Sequence, residues 1–118
     1  MISNNDLTTN SIEWALGALE RRSQVTANNV ANAETPNFRA GRVEFEGRLR
    51  DALGRGEIDR IEAGTITQSN EAPGANGNNV SLEEEMIDMI ETNLRKNAMI
   101  QAFNYKAGLL RTAMRGQA

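Results

Sequence analysis

The sequence contains no cysteine and no histidine. Without histidine it lacks the commonest metal ligand and the side chain that titrates nearest neutral pH. Without cysteine it lacks disulfides, thiolate nucleophiles and zinc-thiolate sites. The remaining Ser, Lys, Asp and Glu residues show no nucleophile-and-base pattern. We therefore expect no catalytic residues, no metal and no cofactor, and the sequence does not predict an enzyme.

Apolar and aromatic residues are scarce. They make up 39% and 4% of the 118 residues, and the mean hydropathy is -0.54, so the monomer has little apolar surface to offset chain entropy. We expect it to become fully ordered only with partners. The net charge of -3 argues against a nucleic-acid partner, which needs a basic face.

Long apolar runs are also missing. No run approaches the roughly 20 residues of a membrane span. Residues 1–9 contain no Lys or Arg, and no apolar stretch with a small-residue cleavage site follows them. We expect no direct membrane span and no cleaved signal peptide, so any export would follow an uncleaved route.

An N-terminal helix is predicted from an N-cap at Asn10 or Ser11 to about Ala33. Its spine alternates steps of four and three residues, which is the heptad spacing of coiled coils. The positions on this spine are Ile12, Leu16, Leu19, Ser23, Thr26 and Val30, with Ala27 beside the polar gap. One face therefore suits another helix.

A longer C-terminal helix is predicted from Ser81 to about Arg115. Ser81 followed by Glu84 forms a capping box. The same four-three spacing gives the seam Leu82, Met86, Met89, Asn93, Lys96, Ile100, Phe103, Ala107, Leu110 and Met114. Acidic residues precede basic ones along the axis, which complements the helix dipole. A helix of about 50 Å in so short a chain needs a partner helix along most of its length.

The middle segment is more polar. Val43, Phe45, Leu49 and Leu53 predict a short extended entry and then a helical turn or two ended by Gly54. Two alternatives stay open for the scattered isoleucines, a β-ribbon or an irregular stretch; these residues are Ile58, Ile61 and Ile66. Residues 68–79 are turn-rich and predict a mobile loop.

The predicted fold is therefore mainly α. Two long amphipathic helices form a coiled-coil-type hairpin around an irregular or short β/helical middle. We divide the chain into an N-terminal helix with its Asn-rich end (1–40), a polar, flexible middle (41–80) and a C-terminal helix (81–118).

An Asn-rich motif closes the first helix. Asn28, Asn29 and Asn32 place side-chain amides near free helix carbonyls. Thr35-Pro36 stops the helix, and Phe38 can fold back on it. The motif resembles the signature Ala-Asn-Asn-Ile-Ala-Asn-Ala-Asn-Thr-Pro-Gly-Tyr-Lys-Ala of flagellar rod and hook proteins. The residues that align with the signature, with Asn37 in place of Gly and Phe38 in place of Tyr, are Asn28, Asn29, Ala31, Asn32, Ala33, Thr35, Pro36, Asn37 and Phe38.

Asn37 replaces the glycine of the signature, which predicts a positive φ at this position. Without the resemblance, the motif would be only a helix stop with capped carbonyls.

A second motif opens the last helix. Residues 77–86 are similar to the Gly-Asn-x-Val-x-Leu-Glu-x-Glu-Met entry of the same family, although Lys96 stands further on where the family often has Tyr. Residues 108–114 favour the proximal rod type. Residues 54–76 carry no resemblance.

The resemblance implies a structural subunit of the flagellar basal-body rod. Such a subunit is exported by the flagellar type III apparatus and assembles through its terminal helices into a tube that crosses the periplasm. The implied partners are other copies of the chain, rod proteins of the FlgC, FlgF and FlgG types, a FliE-type adaptor, the MS ring and the flagellar export gate. The alternative is a small secreted helical-hairpin adaptor or effector, which the polar segment of about 45 residues between the helices disfavours.

Overall fold

The computed structural model describes residues 6–58 and 65–116. These described residues form three α-helices and two strands in the order α1 (Leu7–Ala31), β1 (Gly41–Glu44), α2 (Glu46–Arg55), β2 (Thr65–Gln68) and α3 (Leu82–Gly116). The mainly helical fold with two long terminal helices and a small sheet in the middle confirms the predicted fold class. No helix in the described ranges is long and apolar enough to cross a membrane.

The two long helices form an antiparallel hairpin. Lys106 Nζ of α3 lies 3.2 Å from Asp6 Oδ2 at the start of α1, and Lys96 Nζ lies 2.8 Å from Glu20 Oε2 further along. Because the later residue of α3 contacts the earlier position in the chain near α1, the two helices run in opposite directions. The molecule is accordingly elongated, with dimensions of 68 × 26 × 15 Å.

Helix α1 begins earlier than predicted. Its N-cap is Asp6, whose Oδ1 accepts the Thr9 N–H at 2.6 Å, so the choice of Asn10 or Ser11 was wrong. The first apolar spine residue marks where the packed face begins, whereas the helix begins where a side chain caps its free N–H groups. Hydrogen bonding to the Thr9 N–H also lowers the pKa of the Asp6 carboxyl.

The end of α1 also differs slightly from the prediction. The helix ends at Ala31, not Ala33, and Asn32 is the C-cap, with a backbone N–H that reaches the carbonyl of Asn28.

Helix α3 begins where the capping box predicts. The Glu84 N–H donates to Ser81 Oγ at 3.3 Å, and the Glu85 N–H donates to the Ser81 carbonyl at 2.9 Å. Its 35 residues extend to Gly116, with three acids in the first turn and Arg115 in the last. Local capping and charge are therefore sufficient to locate this helix.

The middle segment contains a β-ribbon and a helix. Strands β1 and β2 pair antiparallel with Val43 opposite Ile66, so the ribbon alternative is correct there, while Ile61 lies outside the described residues. Helix α2 continues past Gly54 to Arg55, and its C-cap is Gly56. Gly56 has the left-handed backbone, φ 67°, that a C-cap of this kind requires.

The hydrophobic core is small and lies where α1, β1 and α3 meet. Its centre is formed by Ala18, Leu19, Val43 and Phe45, with Trp14, Val25, Leu49 and Met99 packed around them. Trp14 and Phe45 contact edge to face at 5.7 Å between ring centroids. This core joins the hairpin to the ribbon near the middle of α1.

Candidate assembly site

Asn29 joins the end of α1 to the ribbon. Its side chain is buried, donates from Nδ2 to the Gly41 carbonyl at 3.0 Å, and accepts the Gly41 N–H at Oδ1 at 2.9 Å. The amide thus pairs with β1 as a strand residue would. Of the three asparagines near the helix end, Asn32 donates its side-chain amide to the Asn28 carbonyl at 2.8 Å, and this carbonyl also accepts the Asn32 backbone N–H.

Asn37 has the positive φ that the sequence predicted, 63°. Its N–H donates to the carbonyl of Asn76 at 3.0 Å, which brings the first motif against the start of the second. Gly77, with φ 79°, lies under Asn37, and a Cβ added there would overlap the Asn37 side-chain oxygen. The contact therefore needs glycine at position 77.

Asn78 and Asn79 complete this junction. Asn78 Nδ2 donates to the carbonyls of Asn32 at 2.8 Å and Thr35 at 2.7 Å. Asn79 Oδ1 accepts the Ala40 N–H at 2.6 Å, while its Nδ2 lies 3.2 Å from the Ser69 carbonyl. Both asparagines are buried. We call this set of contacts between the two motifs the motif junction.

The sequence did not reveal the role of these two asparagines. It predicted a mobile loop up to residue 79, whereas the end of that loop is hydrogen-bonded to the first motif. One feature of the sequence could have indicated this role. Asn78 and Asn79 are adjacent and precede a helix that Ser81 already caps, so the local turn does not need both side-chain amides.

The other residues of the first motif lie around the junction. Thr35 Oγ1 donates to Asn32 Oδ1 at 3.1 Å, and Pro36 is exposed, past the end of α1. Phe38 is half-buried and borders a shallow groove with Asn28 of α1. Ala31 is exposed and Ala33 is half-buried.

A second polar cluster holds α1, α2 and α3 together. Arg22 makes a two-pronged ion pair with Glu46, at 2.6 and 2.9 Å, and Arg95 of α3 contacts the same carboxylate at 3.0 Å. The Arg22 guanidinium also donates to the Val43 carbonyl and lies 4.6 Å from the Phe45 ring centroid. Burial raises the pKa of Glu46, but the hydrogen bonds and charge of Arg22 outweigh it and lower this pKa to about 2.

Glu85 forms a buried ion pair with the ribbon. Its side chain has no exposed surface, and Oε1 lies 2.7 Å from Arg42 Nη1 of β1. Its other oxygen, Oε2, has no hydrogen-bond partner among the described residues. Thr92, two turns later on the same side of α3, is also buried. The inner side of the first half of α3 is therefore polar.

The opposite side of this half is apolar and exposed. Met86, Ile87, Ile90 and Leu94 are each 56–64% exposed. At 100° per residue they lie 100–200° around the helix from Glu85. We call these four residues the outer face of α3. An amphipathic helix normally turns its apolar side to the core. This half of α3 has the opposite arrangement, with polar side chains buried and apolar ones exposed.

The structure divides the predicted seam into two groups. Those turned inward or half-buried in the hairpin are Ile12, Leu16, Leu19, Phe103, Ala107 and Leu110. Those at the surface are Ala27, Val30, Leu82, Met86, Met89, Ile100 and Met114. In the first half of α3 the buried residues are Glu85 and Thr92, which are adjacent in sequence to the predicted Met86 and Asn93.

The described residues contain no group of three or more His, Cys, Asp or Glu side chains arranged to hold a metal ion. The geometry instead presents a braced hairpin with one exposed apolar helix face, which is an arrangement suited to contacts with another helix.

Comparison with known proteins gives a family match and full-length relatives. A family model described as "Flagella basal body rod protein" matches residues 13–39, a range that contains most of the first motif. The flagellar basal body rod protein FlgB of Bacillus subtilis (strain 168) is 29% identical, over 92% of this chain and 94% of that protein. FlgB of Cereibacter sphaeroides is 28% identical over 87% and 90%, and FlgB of Escherichia coli (strain K12) is 23% identical over 88% and 90%.

The matched motif and the relatives that align over most of the chain define the class that this chain resembles, which is the flagellar basal-body rod proteins. Within that class the relatives that align over nearly the whole chain are FlgB proteins, so the resemblance is to the FlgB type. Their names describe a structural component and not an enzyme.

Proposed function

We propose that the chain is a structural subunit of the proximal rod and assembles with neighbouring subunits through its terminal helices. The observation that carries this proposal is the outer face of α3, which leaves four large apolar side chains in water. Fully burying one such side chain contributes about 1.5–3 kcal/mol, so covering their exposed halves would contribute several kcal/mol to assembly.

The seam predicted from the sequence has two roles in this proposal. Its inner members, such as Leu19 and Phe103, hold the hairpin together. Its outer members, with the rest of the outer face, contact neighbours. The motif junction supports both roles, because it fixes the entry to α3 against the end of α1.

The proposed partners and location are those that the resemblance to rod proteins implies. The neighbours in this proposal are other copies and rod proteins of the FlgC, FlgF and FlgG types, with a FliE-type adaptor, the MS ring and the export gate at the base. The subunit would reach the periplasmic rod through the flagellar type III apparatus without a cleaved signal. Support comes from the names of the relatives, which are flagellar basal body rod proteins.

The test is Ile90→Asp in cells that lack their own copy of the protein. Ile90 is 60% exposed, so the isolated variant should keep its helical circular dichroism, while a charge on the outer face should prevent rod assembly and motility. The matched control is Leu53→Asp on α2, which changes another exposed leucine outside the proposed contact. Motile cells with Ile90→Asp would contradict the proposal.

Leu110→Asp is a less clean variant, although Leu110 belongs to the predicted seam. Leu110 is half-buried and borders a cleft with Thr9 and Glu13 of α1. A charge there would also weaken the hairpin.

A second measurement uses purified proteins. Mixing the chain with a FliE-type or FlgC-type partner should increase the helical signal above the sum of the separate proteins, because the ends of the helices become covered. Two results together would contradict ordering on assembly. The helical signal of the mixture would equal the sum of the separate proteins, and the monomer alone would unfold cooperatively at high temperature.

A further inference from the structure

Helix α3 carries its charges in two blocks of opposite sign. From Leu82 to Leu94 every charged residue is acidic, and these are Glu83, Glu84, Glu85, Asp88 and Glu91. From Arg95 to Gly116 every charged residue is basic, and these are Arg95, Lys96, Lys106, Arg111 and Arg115. The two ends of α3 are therefore electrostatically complementary.

The acidic end contains the outer face. Exposed Glu83 precedes Met86 and Ile90 on the same side of the helix. Exposed Glu91, which pairs with Arg95, lies on the side of Ile87 and Leu94. Two copies of this face packed against each other would bring like charges together, which is unfavourable. The face therefore favours a helix with an apolar strip flanked by basic residues.

The basic end of the same chain has this character. Met114 is 65% exposed between Arg111 and Arg115, and it follows Ala107 and Leu110 of the hairpin on the same helix side. Lys106 contacts Asp6 at the start of α1, and all of residues 111–116 at the end of α3 are exposed. We call residues 111–116 the basic tip.

We propose that copies of this chain pack head to tail, with the basic tip of one copy on the outer face of α3 of the next. This inference rests on the proposed function, since a contact between two different patches extends a row of subunits whereas a self-complementary one closes a dimer. Ile90 and Met114 are 24 residues apart, so successive copies would be displaced by about 36 Å along the helix axis.

The middle of α3 favours this short overlap over a full antiparallel one. On the side of the outer face, the central turns carry Asn97, Gln101 and Asn104, all exposed. A full-length antiparallel pairing of two α3 helices would bury these amides, which costs free energy unless each finds a partner. Head-to-tail overlap leaves them in water.

Disulfide cross-linking tests the orientation, because the chain contains no cysteine of its own. Ile90→Cys chains and Met114→Cys chains, one of them carrying a mass tag, are mixed at low salt and oxidised. We expect the mixed 90–114 disulfide to exceed each same-site product at least tenfold, and to fall as salt rises. Leu53→Cys, exposed on α2, is the control and should give little product with either.

Two further arms test direction and charge. A chain carrying both cysteines should give a ladder of multimers. Glu91→Lys should lower the 90–114 yield several-fold, and Arg115→Glu in the other chain should restore it, because a displacement of 24 residues places position 115 level with position 91. Dominant same-site disulfides, a product that stops at a dimer, or a mixture that does not cross-link above the control would each overturn the head-to-tail contact.

The failure of this inference differs from the failure of the proposed function. If Ile90→Asp abolishes motility while same-site disulfides dominate, the rod function stands and the head-to-tail contact falls. If the 90–114 disulfide dominates while cells with Ile90→Asp still swim, the head-to-tail contact between copies is supported and its role in the rod is contradicted.

Discussion

At the scale of single residues, asparagine side chains take the place of backbone in this protein. Asn29, Asn78 and Asn79 each bond to backbone groups of a segment distant in sequence. The amide carries both donor and acceptor, so one side chain can satisfy two groups that a strand would otherwise pair. The junction is built with little apolar surface, which suits a chain with few apolar residues.

Gly77→Ala tests the junction. The new methyl group would overlap the Asn37 side chain, and φ 79° disfavours alanine, so we expect a loss of about 1–3 kcal/mol in the free energy of unfolding. Gly74→Ala is the control, since its Cβ would meet only ordinary contacts at 3.6 Å or more and should change stability by under about 0.5 kcal/mol. Urea unfolding measures both, and equal effects would argue against the close approach.

At the scale of elements, the first half of α3 is attached to the molecule by charge rather than by apolar packing. Glu85 pairs with Arg42, Arg95 pairs with Glu46, and Lys96 pairs with Glu20. The second half of α3 instead turns Met99 and Phe103 inward. This difference leaves the apolar side of the first half outside.

Glu85→Gln tests the buried pair. Removing one partner of such a pair is costly, and because Arg42 keeps some contact with water we expect a loss of about 2–3 kcal/mol. The neighbouring Glu84→Gln is the matched control. Its carboxylate is half exposed and 3.8 Å from Arg42, so it should lose no more than about 0.5 kcal/mol. The measurement is chemical unfolding at neutral pH, and similar losses for the two variants would show that burial of Glu85 is unimportant.

Glu46 makes stability depend on pH in a defined direction. Its pKa is about 2 in the folded chain against 4.5 ordinarily, so its charged form stabilises the fold above about pH 4.5, and that contribution is lost as pH falls towards 2. With the carboxylate partly exposed, we expect Glu46→Gln to cost about 1 kcal/mol at pH 7.

The measurement is urea unfolding of wild type and Glu46→Gln at both pH 7 and pH 2. The gap between the two proteins should close as the pH is lowered. A gap that stays constant would show that the Arg22 and Arg95 contacts with Glu46 contribute nothing that depends on its charge.

At the scale of the whole molecule, the elongated shape and the exposed outer face indicate a unit whose stability depends on neighbours. The chain measures 68 Å in its longest direction and only 15 Å in its shortest, so few residues can be shielded within one copy. Contacts between copies would supply the missing burial.

The unfolding temperature should therefore rise with protein concentration, because association stabilises the folded form by mass action. Over a hundredfold range of concentration we expect a rise of several degrees for the wild type and none for Ile90→Asp. Differential scanning calorimetry measures both. A wild-type value independent of concentration would argue against association of copies through the outer face.

Sequence patterns alone located the two long helices and the start of α3. Capping at Ser81, acids in the first turn and bases in the last act over one or two helical turns, so they are readable in the local sequence. The positive φ of Asn37 was likewise predictable, since it depends on local backbone geometry and on the family signature.

Only the tertiary structure decided which side of α3 faces inward and what the middle asparagines do. The first half of α3 has apolar residues on several sides, so periodicity could not choose between the Glu85 side and the Met86 side. That choice depends on Arg42, 43 residues away, and the roles of Asn78 and Asn79 depend on backbone groups around 40 residues away. Such pairings form only when distant segments meet, and a local pattern does not record them.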